Sequence, residues 1–248
     1  EVIVPAGTRV GAREMALLFE AGVKRVAGWA SPRVAVVATG SEITQEADGL
    51  SSGFRRCSNA SYIAALMSRI GVTDIRTIVV PDDIRQLTRT LVELDAVCDV
   101  IITVGGTGKG KRDYTRQAVS DAGGVFVGHD TQLDSPFVTA RLPHAGLIGL
   151  PGNPLAVMMI VQCVLLESVR SVFHLPEAPA QTVEAVMTED IEAGICGELC
   201  VNVNESAAKP LIKGTGRMRV FDSARGFVRL NGQGIKRGER VRVELFRN

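Results

Sequence analysis

Between Val104 and Tyr114 the chain reads Gly105-Gly106-Thr107-Gly108-Lys109-Gly110-Lys111-Arg112-Asp113. Glycine lets backbone amides come close to an anion, and a helix starting just behind such a loop adds partial positive charge. Lys109, Lys111 and Arg112 bring mobile cations to the same place. No Gly-Lys-Ser/Thr follows at the spacing a Walker loop needs, so this is not a P-loop. Two readings fit the stretch: a phosphate- or oxyanion-binding loop, or a flexible surface turn whose basic residues are incidental. A second turn, Gly149-Leu150-Pro151-Gly152-Asn153-Pro154, sets a proline at the first helical position, where its missing N–H is no loss. The free amides of that helix start and the Asn153 side chain suit an anion. A purely structural turn explains the same residues.

Thr39-Gly40-Ser41-Glu42 ends an apolar run, and its Glu42 suits a cation or a ligand hydroxyl, or is simply solvated. Asp82 and Asp83 combine a helix N-cap with a spare carboxylate, and Asp113 is both a cap and a candidate metal ligand. His129, His144 and His174 assemble no site, since no Ser-His-Asp order, HExxH or nucleophile elbow is present. The five cysteines are an odd number without dense spacing, the usage of a reducing compartment, which predicts a cytoplasmic protein. Cys196 and Cys200 lack the second ligand pair of a zinc site.

These residues must be positioned by the elements around them. Arg33 to Ala38, Ile75 to Val80, Asp99 to Val104 and Leu147 to Leu150 are mainly apolar runs, as expected of strands buried on both faces. Helical patterns separate them: Ser58 or Asn59 offers an N-cap before Ile63, Leu66, Met67 and Ile70. Asp82 caps a helix with Leu87, Leu91, Val92 and Leu94 on one side, and Asp113 caps the next. Pro154 opens a long apolar helix through Val169. The alternation predicts an α/β fold, a parallel or mostly parallel sheet with flanking helices, over residues 30–175. Its motifs then share the C-terminal edge of the sheet, where open α/β folds bind ligands.

Before it, residues 1–29 read as a short strand, a Pro5-Ala6-Gly7 turn and a helix from Arg13 to Glu20, closed by Gly22. That piece is too small for a core of its own and reads as the remnant of a preceding domain. After it, residues 176–248 show strand-like alternation at Thr182 to Met187, Leu199 to Asn204, Phe227 to Leu230 and Glu239 to Phe246, predicting a small all-β domain. Charge within this module is graded: every charged residue from Glu184 to Glu205 is acidic, and Lys and Arg dominate from Lys209 onward. Two faces of one β module explain the gradient, as does an anion-binding tail. The formal net charge of +1 gives no field that would draw the molecule to nucleic acid or an acidic membrane. The apolar stretch from Ala145 to Leu166 is interrupted by Pro151, Gly152, Asn153 and Pro154, and no membrane span is predicted.

Taken in order, Thr39 to Ile43, Ser58-Asn59, Pro81-Asp82-Asp83, Gly105-Gly106 through Thr115 and Gly149 to Pro154 resemble the MoeA/gephyrin-E family. Val4 to Thr8 and Gly238 to Val241 extend the likeness along nearly the whole chain, and Gly105 to Gly108 also resembles the related Mog and MoaB proteins. The resemblance implies a MoaB/Mog-like domain and molybdenum cofactor biosynthesis: molybdate inserted into adenylylated molybdopterin, AMP released, magnesium participating, in a cytoplasmic homodimer. Carried onto this sequence, it makes Glu42, Asp83 and Asp113 catalytic, with Glu42 and Asp113 on the metal. The ligand cradle is Thr39, Gly40, Ser58, Asn59, Gly105, Gly106, Thr107, Gly108, Lys109, Pro151, Gly152, Asn153 and Pro154. The sequence also departs from the family. Ser41 and Cys57 stand where an aspartate is usual, and Gln132 and Ser135 stand at the two lysines of a Lys-Pro-Gly-Lys-Pro motif. A catalytically degenerate pterin- or nucleotide-binding homologue or scaffold is therefore one alternative. A nucleotidyltransferase or pyrophosphatase on another nucleotide-linked substrate is the other.

Overall fold

The structure, a computed structural model, describes residues 2–44, 55–106, 114–128, 137–175, 180–211 and 217–247. Four parallel strands form the heart of its larger sheet: β1 (Arg33–Thr39), β4 (Asp74–Val80), β5 (Val100–Val104) and β8 (Gly146–Leu150). A short parallel pair, β2 (Ile43–Thr44) and β3 (Arg55–Arg56), follows β1 outside that sheet. β6 (Val125–Gly128) and β7 (Val138–Arg141) complete the order β4-β1-β5-β8-β7-β6, and both of their pairings are antiparallel. The sheet is thus mixed, parallel through its four central strands as expected and antiparallel only at the β7 and β6 edge. β6 is an edge strand of four residues whose Val125, Phe126 and Val127 are all exposed, so its short apolar run does not mark a buried strand.

Side-chain alternation sends β1 into two cores. Val34, Val36 and Ala38 pack with α2 (Ser58–Arg69) and the long helix after β8, whereas Ala35 and Val37 pack with α3 (Ile84–Asp95) and α4 (Tyr114–Asp121). Helices therefore cover both faces. The long helix consists of α5 (Pro154–Ile160), a π-helical stretch Val161–Leu165 and α6 (Leu166–Val172). It spans 19 residues, and a window of 18 of them reaches a mean hydropathy of 1.8, long and apolar enough to cross a membrane by length and composition. Here it is a core helix: Val157, Ile160, Val161, Leu165 and Leu166 are buried against the sheet and α2.

The C-terminal strands β9 (Thr182–Met187), β10 (Cys196–Asn204), β11 (Ala207–Pro210), β12 (Gly226–Asn231) and β13 (Arg240–Leu245) close a barrel in the order β10-β11-β9-β13-β12. The module is not all β. α7 (Arg217–Ser223) precedes β12, and its Val220 and Phe221 join Met158 and Met159 of α5 in a cluster that seats the barrel on the long helix. Behind that contact Gln162 is 6% exposed; its amide donates to the Tyr62 hydroxyl (3.0 Å) and the Arg247 carbonyl (3.2 Å) and accepts from the Arg247 N–H (3.0 Å).

Residues 2–29 contain α1 (Ala12–Glu20) and, among the described residues, no strand, another departure from expectation. α1 buries none of its side chains, and Phe19 is 86% exposed, so its apolar stripe lacks a partner among the described residues.

Candidate functional site

The C-terminal edge of the parallel strands gathers the sequence motifs. β1 ends at Thr39, whose hydroxyl donates to the Val104 carbonyl (3.4 Å) at the end of β5. Gly105 follows with φ +100°, its N–H bonded to the Leu150 carbonyl (2.9 Å), and Gly106 follows with φ +67°. A Cβ on Gly105 would stand 2.8 Å from the Thr39 backbone oxygen, and one on Gly106 would stand 2.7 Å from the Thr115 Oγ1. Only glycine permits this backbone at this spacing. Thr115, at the start of α4, ties the loop down by donating to the Gly105 carbonyl (3.1 Å). Gly152 lies against Gly105, its built Cβ position 3.9 Å from the Gly105 Cα. The ends of three strands thus meet in a backbone-lined floor. The amides of Gly106 and Gly152 have no hydrogen-bond partner among the described residues.

Asn59 completes the floor. It sits in the first turn of α2, 9% exposed, and its Nδ2 donates to the Gly152 carbonyl (3.1 Å). Its Oδ1 is buried without a partner, an acceptor in want of a donor. Sequence reasoning offered Ser58 and Asn59 as caps of α2. The N-cap is instead Cys57, which makes no side-chain capping bond; Ser58 is the first helical residue, and Asn59 reaches across to Gly152. Burial pushes the Cys57 thiol pKa up, so no anionic group replaces the usual family aspartate there.

Other expected site residues are engaged by their own backbone. Asp83, not Asp82, caps α3 and accepts from the Gln86 N–H (3.0 Å). Asp82 exchanges bonds with Ser41: its Oδ2 accepts from the Ser41 N–H (3.4 Å), and its N–H donates to the Ser41 hydroxyl (3.1 Å). Asn153 Oδ1 accepts from the Leu155 N–H (2.9 Å) and the Ala156 N–H (3.3 Å), so two amides of that helix start are satisfied internally. Pro154 stands buried at the first helical position, directly after Pro151-Gly152-Asn153. Glu42 remains exposed beside Gly40, with its Oε2 3.0 Å from the built Cβ position there. Thr107, Gly108, Lys109 and Asp113, with Gln132, Ser135 and His129, lie outside the described residues.

Sequence reasoning missed Thr115 and the unpartnered Asn59 acceptor. Thr115 was legible only as a member of a motif, and its bond to Gly105 joins residues ten apart in sequence. The described residues hold no cluster of three or more His, Cys, Asp or Glu able to bind a metal unaided. A magnesium ion asks for less, because one or two carboxylates suffice when substrate phosphates supply the remaining oxygens. The Glu42 carboxylate, without a partner among the described residues, fits that arrangement and no self-sufficient one.

A family model described as a probable molybdopterin binding domain matches residues 35–171. The molybdopterin molybdenumtransferase of a Nostoc species is 30% identical over 162 residues, which is 63% of this chain and 37% of that protein. That of Bacillus subtilis is 30% identical over 193 residues, 76% of this chain and 44% of that protein. The chain therefore spans about two fifths of the length of these curated relatives. The crystal structure of a molybdopterin biosynthesis MoeA protein from Pyrococcus horikosii superposes with a TM-score of 0.82 at 23% identity, over 99% of this chain and 62% of that one, and shares its fold.

Proposed function

This chain belongs to the family described as the probable molybdopterin binding domain, and we propose that its glycine edge holds a phosphate-bearing pterin during molybdenum cofactor synthesis. The carrying observation is the floor formed by Thr39, Gly105, Gly106 and Gly152, with the buried, unpartnered Oδ1 of Asn59 beside it. Amides of Gly106 and Gly152 meet phosphate oxygens, and Asn59 Oδ1 accepts from a ligand N–H, of which a pterin ring has several. Residues 30–175 form the ligand-holding unit, flanked by residues 1–29 and 176–248, and the working form is a homodimer.

The reaction we assign is a molybdenum transfer, as the curated relatives are named molybdopterin molybdenumtransferases, in the form the family resemblance implies: molybdate, as substrate, enters adenylylated molybdopterin and AMP leaves. Glu42, with Asp113 as second carboxylate, would hold magnesium, which would supply charge neutralisation at the phosphates. The chain's own part is positional. The glycine floor fixes the phosphates, Thr115 holds that floor in register, and Lys109 supplies the cation that Gln132 and Ser135 do not. Neutral-for-cation exchange beside an oxyanion is costly, because a charged hydrogen bond contributes about 1.5–3 kcal/mol.

The test is calorimetric titration with adenylylated molybdopterin, with and without molybdate and magnesium, followed by assay of AMP and molybdenum cofactor. Binding with turnover is expected, with affinity reduced in Gly106→Val and Lys109→Ala. Binding without turnover would reassign the chain as a degenerate holder of the ligand. AMP release without molybdenum insertion would favour a pyrophosphatase. No binding would remove the pterin reading.

A further inference from the structure

Away from the glycine edge, a cleft of about 640 Å³ opens between the opposite end of the sheet unit and the barrel. Its cations are Arg69 in the last turn of α2, Arg170 on α6, Arg225 just before β12, and Arg247 after β13. Against these four arginines the cleft lining offers a single carboxylate, Glu205. Its floor is apolar, with Leu66, Ile70, Leu166, Val183 and Phe246.

Two of the arginines are fixed. Arg170 is 8% exposed, and its Nη1 lies 3.3 Å from Glu167 Oε1, yet its Nε is buried without a partner. Burial also pulls its pKa below the ordinary arginine value. Arg247 pairs with the same Glu167, and its backbone is clamped on both sides by Gln162. One half-exposed carboxylate shared by two guanidiniums leaves them short of negative charge. Arg69 and Arg225 are exposed and make no ion pair among the described residues.

We propose that this cleft is a second ligand site, distinct from the glycine edge, which takes a small organic phosphate with an apolar or aromatic body. Size, floor and rim each select part of that ligand. The volume is that of a small-molecule pocket, within the range of about 300–1,000 Å³, rather than the open groove a peptide needs. The apolar floor receives the body. Arg170 is preorganised to donate its Nε–H to an anionic oxygen, and Arg69 and Arg225 close over the same group from the rim.

The test uses 1-naphthyl phosphate as fluorescent probe on the full chain, with 1-naphthalenemethanol as the uncharged equivalent. The phosphate is expected to bind and to weaken as salt rises. Arg69→Gln and Arg225→Gln should each weaken it by about three- to tenfold without moving the melting temperature, since both side chains are exposed. Arg170→Lys, which keeps the charge and removes the planar donor, should weaken it further; loss of its fold would leave the two rim variants to decide. Inorganic phosphate should compete. Equal binding of the neutral alcohol, or unchanged affinity in the Arg69→Gln/Arg225→Gln double variant, would overturn the proposal. So would loss of binding on Gly106→Val alone, which would place the probe at the glycine edge instead.

Discussion

The two ends of one sheet are built from different materials. At the C-terminal edge, Thr39, Gly105, Gly106 and Gly152 present backbone, and Asp83 and Asn153 are turned onto amides of their own helices. At the opposite end the work falls to charged side chains: Asp99 binds Arg33, Asp95 accepts from the His144 ring and two amides, and Arg170 and Arg247 share Glu167. A backbone-lined floor offers a ligand fixed dipoles rather than full charges. A side-chain cluster carries full charge and is screened wherever it meets water. On the proposals above, the edge would position a ligand through fixed backbone, whereas the far end would attract one through charge or hold the fold together.

The largest effect should come from the clamp beneath the arginine cleft. Gln162→Leu deletes every hydrogen bond of the 6%-exposed amide and strands the Arg247 N–H and carbonyl together with the Tyr62 hydroxyl. Burial has pushed the Tyr62 pKa up to about 12, so its hydroxyl stays protonated and its oxygen loses the Gln162 donor. Each stranded buried group costs about 1–3 kcal/mol, so a loss near 4 kcal/mol is expected in urea unfolding. A loss under 1 kcal/mol would show that the barrel is seated by the Met158 and Phe221 cluster alone. Next comes Gly105→Ala. A Cβ there meets the Thr39 backbone at 2.8 Å, with φ at +100°, so steric and conformational strain together should cost about 3 kcal/mol. Should the variant unfold at the same denaturant concentration as the parent, the floor is softer than its spacing implies.

That contrast also decides what was legible in the sequence. The glycine edge is local: each turn lies within a few residues of the strand it ends, so Gly105-Gly106 and Pro151 to Pro154 announce themselves as punctuation between apolar runs. The four cleft arginines stand at positions 69, 170, 225 and 247, and nothing in their spacing unites them before the barrel closes against α6. The basic drift after Lys209 was visible as composition, without its destination. β6 and β7 are not legible because each is only four residues long, and α7 because seven residues are too few to show a helical period. The reach of Asn59 to Gly152 spans 93 residues, and helix capping was the cheaper local explanation for the same amide.

Smaller changes compare the two ends directly. Asp95→Ala removes the acceptor for the Ala145 N–H (2.8 Å) and the His144 N–H (3.0 Å), and should cost about 2 kcal/mol. Asn153→Ala removes only a cap from a helix that packing already holds, and should cost about 1 kcal/mol. Thermal unfolding of both variants ranks them. The reverse order would mean that the glycine edge, not the far end, is where side chains hold the fold.

The smallest effect is a pH dependence confined to the far end. Arg33 donates from Nη2 to Asp99 Oδ1 (2.8 Å) and from Nε to Oδ2 (3.1 Å), while its backbone N–H reaches the same Oδ2 (2.7 Å). Those bonds, the guanidinium's first among them, hold the Asp99 pKa below its ordinary 3.8 against the opposing pull of burial. The sign follows from linkage. A carboxylate whose folded pKa is depressed stabilises the protein above its unfolded pKa, and that stability is lost as pH falls through the folded value. Asp99→Asn should therefore lower the melting temperature near neutral pH, and the gap to the parent should close below pH 3.8. The side chains are 48% and 34% exposed, so solvent screens the pair and the gap should be a few degrees at most, shrinking further at high salt. A gap that persisted unchanged into acid would mean that Asp99 acts through the geometry of its backbone contact with Arg33 rather than through charge, and the far end would then resemble the glycine edge after all.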